Sequence, residues 1–183
     1  NFSMLAALSF NGNKIITTGG GGAVLTNDEK LAEKARHLTT TAKLQHQWKF
    51  EHDQVGYNYR MPNINAALGC GQLEKLPKYL VSKRRLAEKY QSIFSDSQDE
   101  HIFKEASFAK SNYWLNAMFV EDLACRDNLL TELNQQNIIC RPFWELMHRL
   151  PMFDRFPKMD LSDAVNLWET AILLPSSPGL LGL

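Results

Sequence analysis

Apolar and polar positions change rhythm several times along the chain. Between residues 5 and 26 the apolar residues come in short clusters broken by small polar residues and glycines, which predicts short strands joined by turns. Ile15-Ile16-Thr17-Thr18 and Ala23-Val24-Leu25-Thr26 are β-prone runs, and the four glycines 19–22 between them predict a hairpin-like connection. A helical period follows. Leu31, Ala35 and Leu38 share one face, most of Lys30, Glu33, Lys34 and Arg36 lie elsewhere, and Thr26 and Glu29 stand at capping-box spacing ahead of them. The period is lost over residues 39–54, a polar loop holding Trp48 and Phe50. It returns near Pro62, a residue favoured in a first helical turn, with Ile64, Ala67, Leu68, Gly71 and Leu73 at spacings of three and four. The small residues Ala66, Ala67, Gly69 and Gly71 suit close packing against another backbone. Pro77 predicts a kink or an end, and a third helix is expected over residues 78–94 with Leu86, Tyr90, Ile93 and Phe94 inward.

Residues 95–111 are polar and irregular, so a boundary is expected near residue 95, dividing the chain into 1–95 and 96–183. Beyond it, residues 113–120 read as a strand and residues 126–136 as a helix burying Leu129, Leu130 and Leu133. Ile138-Ile139-Cys140 reads as a strand stopped by Pro142. Ser162 is a candidate cap for a last helix carrying Val165, Leu167 and Trp168, before the apolar run Ile172-Leu173-Leu174. That order predicts a β-α-β-type lobe and an α/β fold class.

Charge narrows the function classes. Lys plus Arg equals Asp plus Glu at 20 each, so no global field draws the chain to nucleic acid or to an anionic membrane. No apolar run approaches the roughly 20 residues of a membrane span. The segment 4–8 is too short for a signal peptide and has no basic residue before it, so a cytoplasmic protein is expected. Cys70, Cys125 and Cys140 have no CxxC spacing and are expected as buried, reduced thiols rather than a disulfide framework or a zinc site. The five histidines form no ligand pair on a helix, so no metal is expected. Walker A, dinucleotide and G-x-S-x-G patterns all fail. Lys83-Arg84-Arg85 reads as a solvated helix face.

The remaining chemistry lies in Ser9-Phe10-Asn11-Gly12-Asn13-Lys14. A lysine at a strand end beside apolar walls loses solvation, and a neutral amine can attack a carbonyl. A hydroxyl five residues earlier, on Ser9, can donate to a phosphate. The run from Ser9 through Ile15-Ile16-Thr17-Thr18 to Gly22 resembles the lysine motif of the DegT/StrS-type sugar aminotransferases, enzymes of fold type I that use pyridoxal phosphate. The block Val55-Gly56-Tyr57-Asn58-Tyr59-Arg60-Met61-Pro62-Asn63-Ile64-Asn65-Ala66-Ala67-Leu68-Gly69, ending in Gln72-Leu73-Glu74, resembles a second signature of that family. Arg141-Pro142, Trp144, His148, Leu150-Pro151 and Leu174-Pro175 resemble its C-terminal lobe. The three blocks occur in order and span nearly the whole chain. The details look closest to the LegC-like branch.

The resemblance implies a partial fold type I transferase: the end of the large cofactor domain, then the small C-terminal α/β domain. It implies that Lys14 bonds pyridoxal 5'-phosphate and shuttles the proton at the substrate carbon. Ser9 would hold the cofactor phosphate, and Asn58 would reach the phosphate of the neighbouring subunit in a homodimer. Tyr59, Arg60 and His148 would line the substrate pocket. The substrate would be a nucleotide-linked 4-keto-6-deoxy sugar, with glutamate as amino donor. Related sugar dehydratases carry His where Lys14 stands, so amino transfer is expected. The chain opens abruptly on Asn1-Phe2-Ser3. By the same resemblance, the family's acidic partner of the pyridine nitrogen, the aromatic residue stacked on the ring and the phosphate-binding helix start are expected upstream of Asn1. The expectation is that 183 residues alone are inactive; the alternative is a non-catalytic remnant acting as a dimerising or binding module.

Overall fold

The computed structural model describes residues 3–182; Asn1 and Phe2, where the abrupt opening was expected, and Leu183 lie outside the described residues. The chain divides into two compact units, Asn1–Leu76 and Pro77–Leu183.

In the first unit, strands β1 (Ala6–Ser9) and β2 (Gly22–Leu25) pair antiparallel, with Ala6 opposite Leu25 and Ser9 opposite Gly22. The β-branched run 15–18 is therefore not a strand. It lies in the loop 10–21, where Ile16 turns toward Phe10 and Leu73 around an apolar cavity. Packing there outweighs β propensity, which is a weak preference. Helix α1 (Glu29–Thr39) starts two residues later than the Thr26 spacing predicts. Asp28 is its N-cap and accepts from the Leu31 amide at 3.1 Å. Thr26 instead accepts from the Asp28 amide and donates to the Met4 carbonyl at 2.8 Å.

After α1 the chain makes a tight-necked loop. The amides of Thr41, Tyr57 and Tyr59 donate to the carbonyls of Tyr57, Leu38 and Thr39. Thr41 and Ala42 sit in the left-handed region at φ 69° and 52°, and Ala42 is fully buried. Two neighbours hold this costly conformation. His52 Nδ1 lies 2.7 Å from the Thr41 carbonyl oxygen, and a Cβ on Gly56 would come within 2.3 Å of the Thr41 carbonyl carbon, so only glycine fits. His37 pairs with Asp53 at 2.7 Å, and that hydrogen bond lowers the Asp53 carboxyl below its ordinary value. Trp48 and Phe50 are exposed at the tip.

Helix α2 (Asn63–Ile93) runs unbroken through Pro77. The two helices expected there are one, and the division between the two compact units falls inside it. Proline in a helix interior costs about 3 kcal/mol, and side-chain anchors on both flanks offset it. Before Pro77, Asn65 binds a loop carbonyl. After it, Ser82 donates to the Pro178 carbonyl, Lys83 Nζ to those of Trp114 (3.0 Å) and Ser176, and the Tyr90 hydroxyl to that of Pro175 (3.0 Å). Of the expected solvated face, only Arg85 is exposed. Lys83 is 2% exposed, and Arg84 clasps Glu105 with both nitrogens.

In the second unit a four-stranded sheet has the order β3-β4-β6-β5, antiparallel throughout: β3 (His101–Ile102), β4 (Asn116–Phe119), β5 (Arg141–Pro142) and β6 (Ala171–Leu174). β3 arises inside the stretch that looks irregular in sequence. Pro142 does not stop a strand; it belongs to the edge strand β5, where a missing N–H is tolerated. Residues 138–140, expected as a strand, are irregular, and the strand forms only at β5 just after them. All four β6 residues are buried, which is why they read as an unbroken apolar run. Helices α3 (Leu123–Gln135) and α4 (Ser162–Thr170) complete the unit. Ile102, Met118, Val120, Cys140, Ile172 and Leu174 form its core, with Tyr90, Phe94, Leu129, Leu130 and Leu133 packed on it. Cys140 is the buried thiol, and Cys70 and Cys125 are exposed; all three are free.

Candidate active site

The loop 10–21 between β1 and β2 carries Lys14. Its ends are tied together. The Phe10 amide donates to the Gly21 carbonyl at 3.0 Å, and the Phe10 carbonyl accepts from the Thr18 amide and the Thr17 hydroxyl, both at 3.0 Å. The Lys14 amide donates to the Asn11 carbonyl at 3.0 Å, closing a turn that leaves the lysine half-buried. Ser9 is exposed at the end of β1, and its hydroxyl accepts from the Asn11 amide at 3.4 Å. Gly19 and Gly21, at φ 79° and 96°, let the chain turn back into β2.

The loop rests on the first half of α2. Asn65 Nδ2 donates to the Thr18 carbonyl at 2.6 Å. Thr18 is 3% exposed, and a Cβ on Gly69 would lie 2.8 Å from its methyl carbon. Between loop and helix lies an apolar cavity of about 150 Å³, with Phe10, Ile16, Met61, Ala66 and Gly69 among its walls. Of the small residues marked for close packing, Gly69 makes the close approach, Ala66 lines the cavity, and Gly71 faces open space. Asn65 was not singled out in the sequence. Its signal is spacing: it stands one helical turn before Gly69 on the same face.

The other expected site residues are placed as follows. Ser9 and Lys14 flank one tight turn. Asn58 is exposed on the neck of the 40–58 loop, bridged to Thr40 through the backbone. The Tyr59 ring stacks on Tyr57 at 5.0 Å. Tyr59 and Arg60 border an open groove of about 960 Å³ shared with Leu8, Gly22, Val24 and Arg36. His148 belongs to the second unit, in a short 3-10 turn, Met147–Arg149, where it is half-buried. Among the described residues no three His, Cys, Asp or Glu side chains converge as a metal site would require, and no helix is long and apolar enough to cross a membrane.

Comparison with known proteins adds a lineage to this geometry. The profile of the DegT/DnrJ/EryC1/StrS aminotransferase family matches residues 1–182. A GDP-perosamine synthase of Vibrio cholerae is 35% identical over 182 residues, covering 98% of this chain and 49% of that protein. A putative pyridoxal phosphate-dependent aminotransferase of Bacillus subtilis, EpsN, is 33% identical over 183 residues, covering 98% and 47%. Among solved structures, PseC of Helicobacter pylori, an aminotransferase involved in pseudoaminic acid biosynthesis, superposes with a TM-score of 0.88 at 27% identity, over 98% of this chain and 49% of that one. The chain spans about half the length of the curated relatives it matches. With a family profile matching essentially from end to end, the chain belongs to the DegT/DnrJ/EryC1/StrS aminotransferase family.

Proposed function

We propose that the chain carries the lysine of a pyridoxal-phosphate-dependent nucleotide-sugar aminotransferase. The observation behind this reading is Lys14, half-buried in a loop hydrogen-bonded end to end, in a member of this family. The residues present fit the cofactor. Lys14 offers a primary amine to its aldehyde, and the exposed Ser9 hydroxyl offers a donor to its phosphate. When bound, the cofactor withdraws electrons from the substrate carbon that bears nitrogen. Lys14 Nζ then takes the proton released at that carbon and passes it on. Asn58 is proposed to reach the neighbouring site in a homodimer; its exposure on the loop neck, with exposed Trp48 and Phe50 at the tip, supports that role. Tyr59, Arg60 and His148 are proposed substrate contacts.

The GDP-perosamine synthase relatives support a nucleotide-linked ketosugar as acceptor, with a 4-keto-6-deoxy sugar and glutamate as the finer reading. The test is pyridoxal phosphate titration of the purified chain, followed by borohydride reduction and peptide mapping. A reduced adduct confined to Lys14, absent in Lys14→Ala, is expected. Labelling spread over surface lysines would overturn the reading.

A further inference from the structure

We infer that Asn65 and Gly69 are positioning residues for Lys14: the Asn65 amide fixes the Thr18 carbonyl, and the bare α-carbon of Gly69 admits the Thr18 methyl. Helix α2 thereby sets how the lysine-bearing loop sits. The inference rests on the reading of Lys14 as the reacting amine.

Three observations carry it. First, the loop is a closed unit: the amide and hydroxyl at positions 18 and 17 both return to the Phe10 carbonyl, so a displacement of Thr18 is transmitted to the strand end that leads into Lys14. Second, the Thr18 side chain is committed locally. Its hydroxyl donates to the Gly20 carbonyl, which leaves its methyl facing Gly69 and its carbonyl facing Asn65. Third, the cavity of about 150 Å³ beside these contacts is walled by apolar groups. Those walls offer the loop little else that is polar to hold, so the 2.6 Å bond from Asn65 anchors it. A buried carbonyl deprived of its donor seeks another, and moving the loop is the way to find one.

The test follows borohydride trapping of pyridoxal phosphate at Lys14 in the intact 183-residue chain, with exposed Lys30 and Lys34 as internal controls. Asn65→Leu removes the donor at similar size and is expected to lower the Lys14 trapping rate about tenfold or more, since small misplacements of reacting groups are costly. The control lysines should be unaffected. Gly69→Ala is expected to do the same by pushing on the Thr18 methyl. Adding Thr18→Ser to Gly69→Ala deletes that methyl, keeps the hydroxyl, and should restore trapping. A general loss of stability would not be confined to Lys14.

Amide hydrogen exchange reads the clamp without the cofactor. The Lys14 and Thr18 amides, which donate to Asn11 and Phe10, should exchange faster in Asn65→Leu. Unchanged trapping and exchange in both variants, or a Gly69→Ala defect that Thr18→Ser does not relieve, would overturn the inference. A wild-type chain that gives no Lys14 adduct while exchange responds as expected would overturn the functional reading alone.

Discussion

Lys83 should make the stability of this chain rise with pH in a window where most proteins gain nothing. Its side chain is 2% exposed, and burial lowers its pKa from the ordinary 10.5 to about 8. In the unfolded chain the amine keeps its proton up to 10.5. Between about pH 8 and that value the folded state has released the proton while the unfolded state still binds it, so stability climbs with pH. Below pH 8 both states are protonated and the folded state bears the full cost of a buried ammonium. A fall from 10.5 to about 8 corresponds to about 3 kcal/mol. The carbonyls of Trp114 and Ser176 accept from the ammonium and keep this cost from being larger. Lys83→Met keeps the aliphatic stem and removes the amine. Urea unfolding of both proteins at about pH 7 and pH 10 isolates the effect, because every other titrating group is common to the two. Wild type should gain about 2 kcal/mol on the variant between those conditions. A difference that stays flat, or that falls with rising pH, would refute the argument.

Ile172 is fully buried at the centre of the second unit, and Ile172→Ala should cost about 3–4 kcal/mol in urea denaturation. Asp28→Ala removes the α1 N-cap and should cost about 1 kcal/mol, with Asp28→Ser recovering most of it. Glu105 is held below its ordinary 4.5, first by the Arg84 hydrogen bonds and then by the Ser111 amide. Its stabilisation is complete above 4.5 and is lost as pH falls through the lower folded value. The urea midpoint of Glu105→Gln should therefore depend less on acid than that of wild type between about pH 6 and pH 3.

Helices with a clean 3.6-residue period were legible in the sequence: α1, α3 and α4 stand close to where their apolar stripes put them. The apolar run at 172–174 stood out as well, and it lies in the fully buried strand β6. What misled was local chemistry outvoted by packing. Ile15 to Thr18 have strand propensity, yet Ile16, Thr17 and Thr18 line the cavity beneath the lysine loop. Pro77 breaks helices, yet anchors on both flanks hold α2 through it. Lys83 belongs to a basic triplet that reads as a wet face. No pattern of residue types reveals that two carbonyls far along the chain, at residues 114 and 176, meet its amine. The lysine motif itself was recognisable through its resemblance to a known family, although residues 15–18 within it read as a strand. Its seat was not, because a hydrogen bond between residues 18 and 65 is set by tertiary contact.

The neck of the 40–58 loop has a consequence for how such a chain can diversify. The left-handed pair at Thr41 and Ala42, the bare Gly56 and the crossing amides fix the two sides of the neck in one register. Beyond the bond from the Leu44 amide to the Glu51 carbonyl, residues 45–50 are held by side-chain and local contacts, with Lys43 over the Phe50 ring and the His46 ring accepting from the Trp48 and Lys49 amides. Each doubling of a loop's length costs only about 0.6 kcal/mol in closure entropy. Insertions at the tip are thus cheap while deletions at the neck are prohibitive. A lineage can rewrite the length and composition around Trp48 and Phe50 and leave the scaffold untouched.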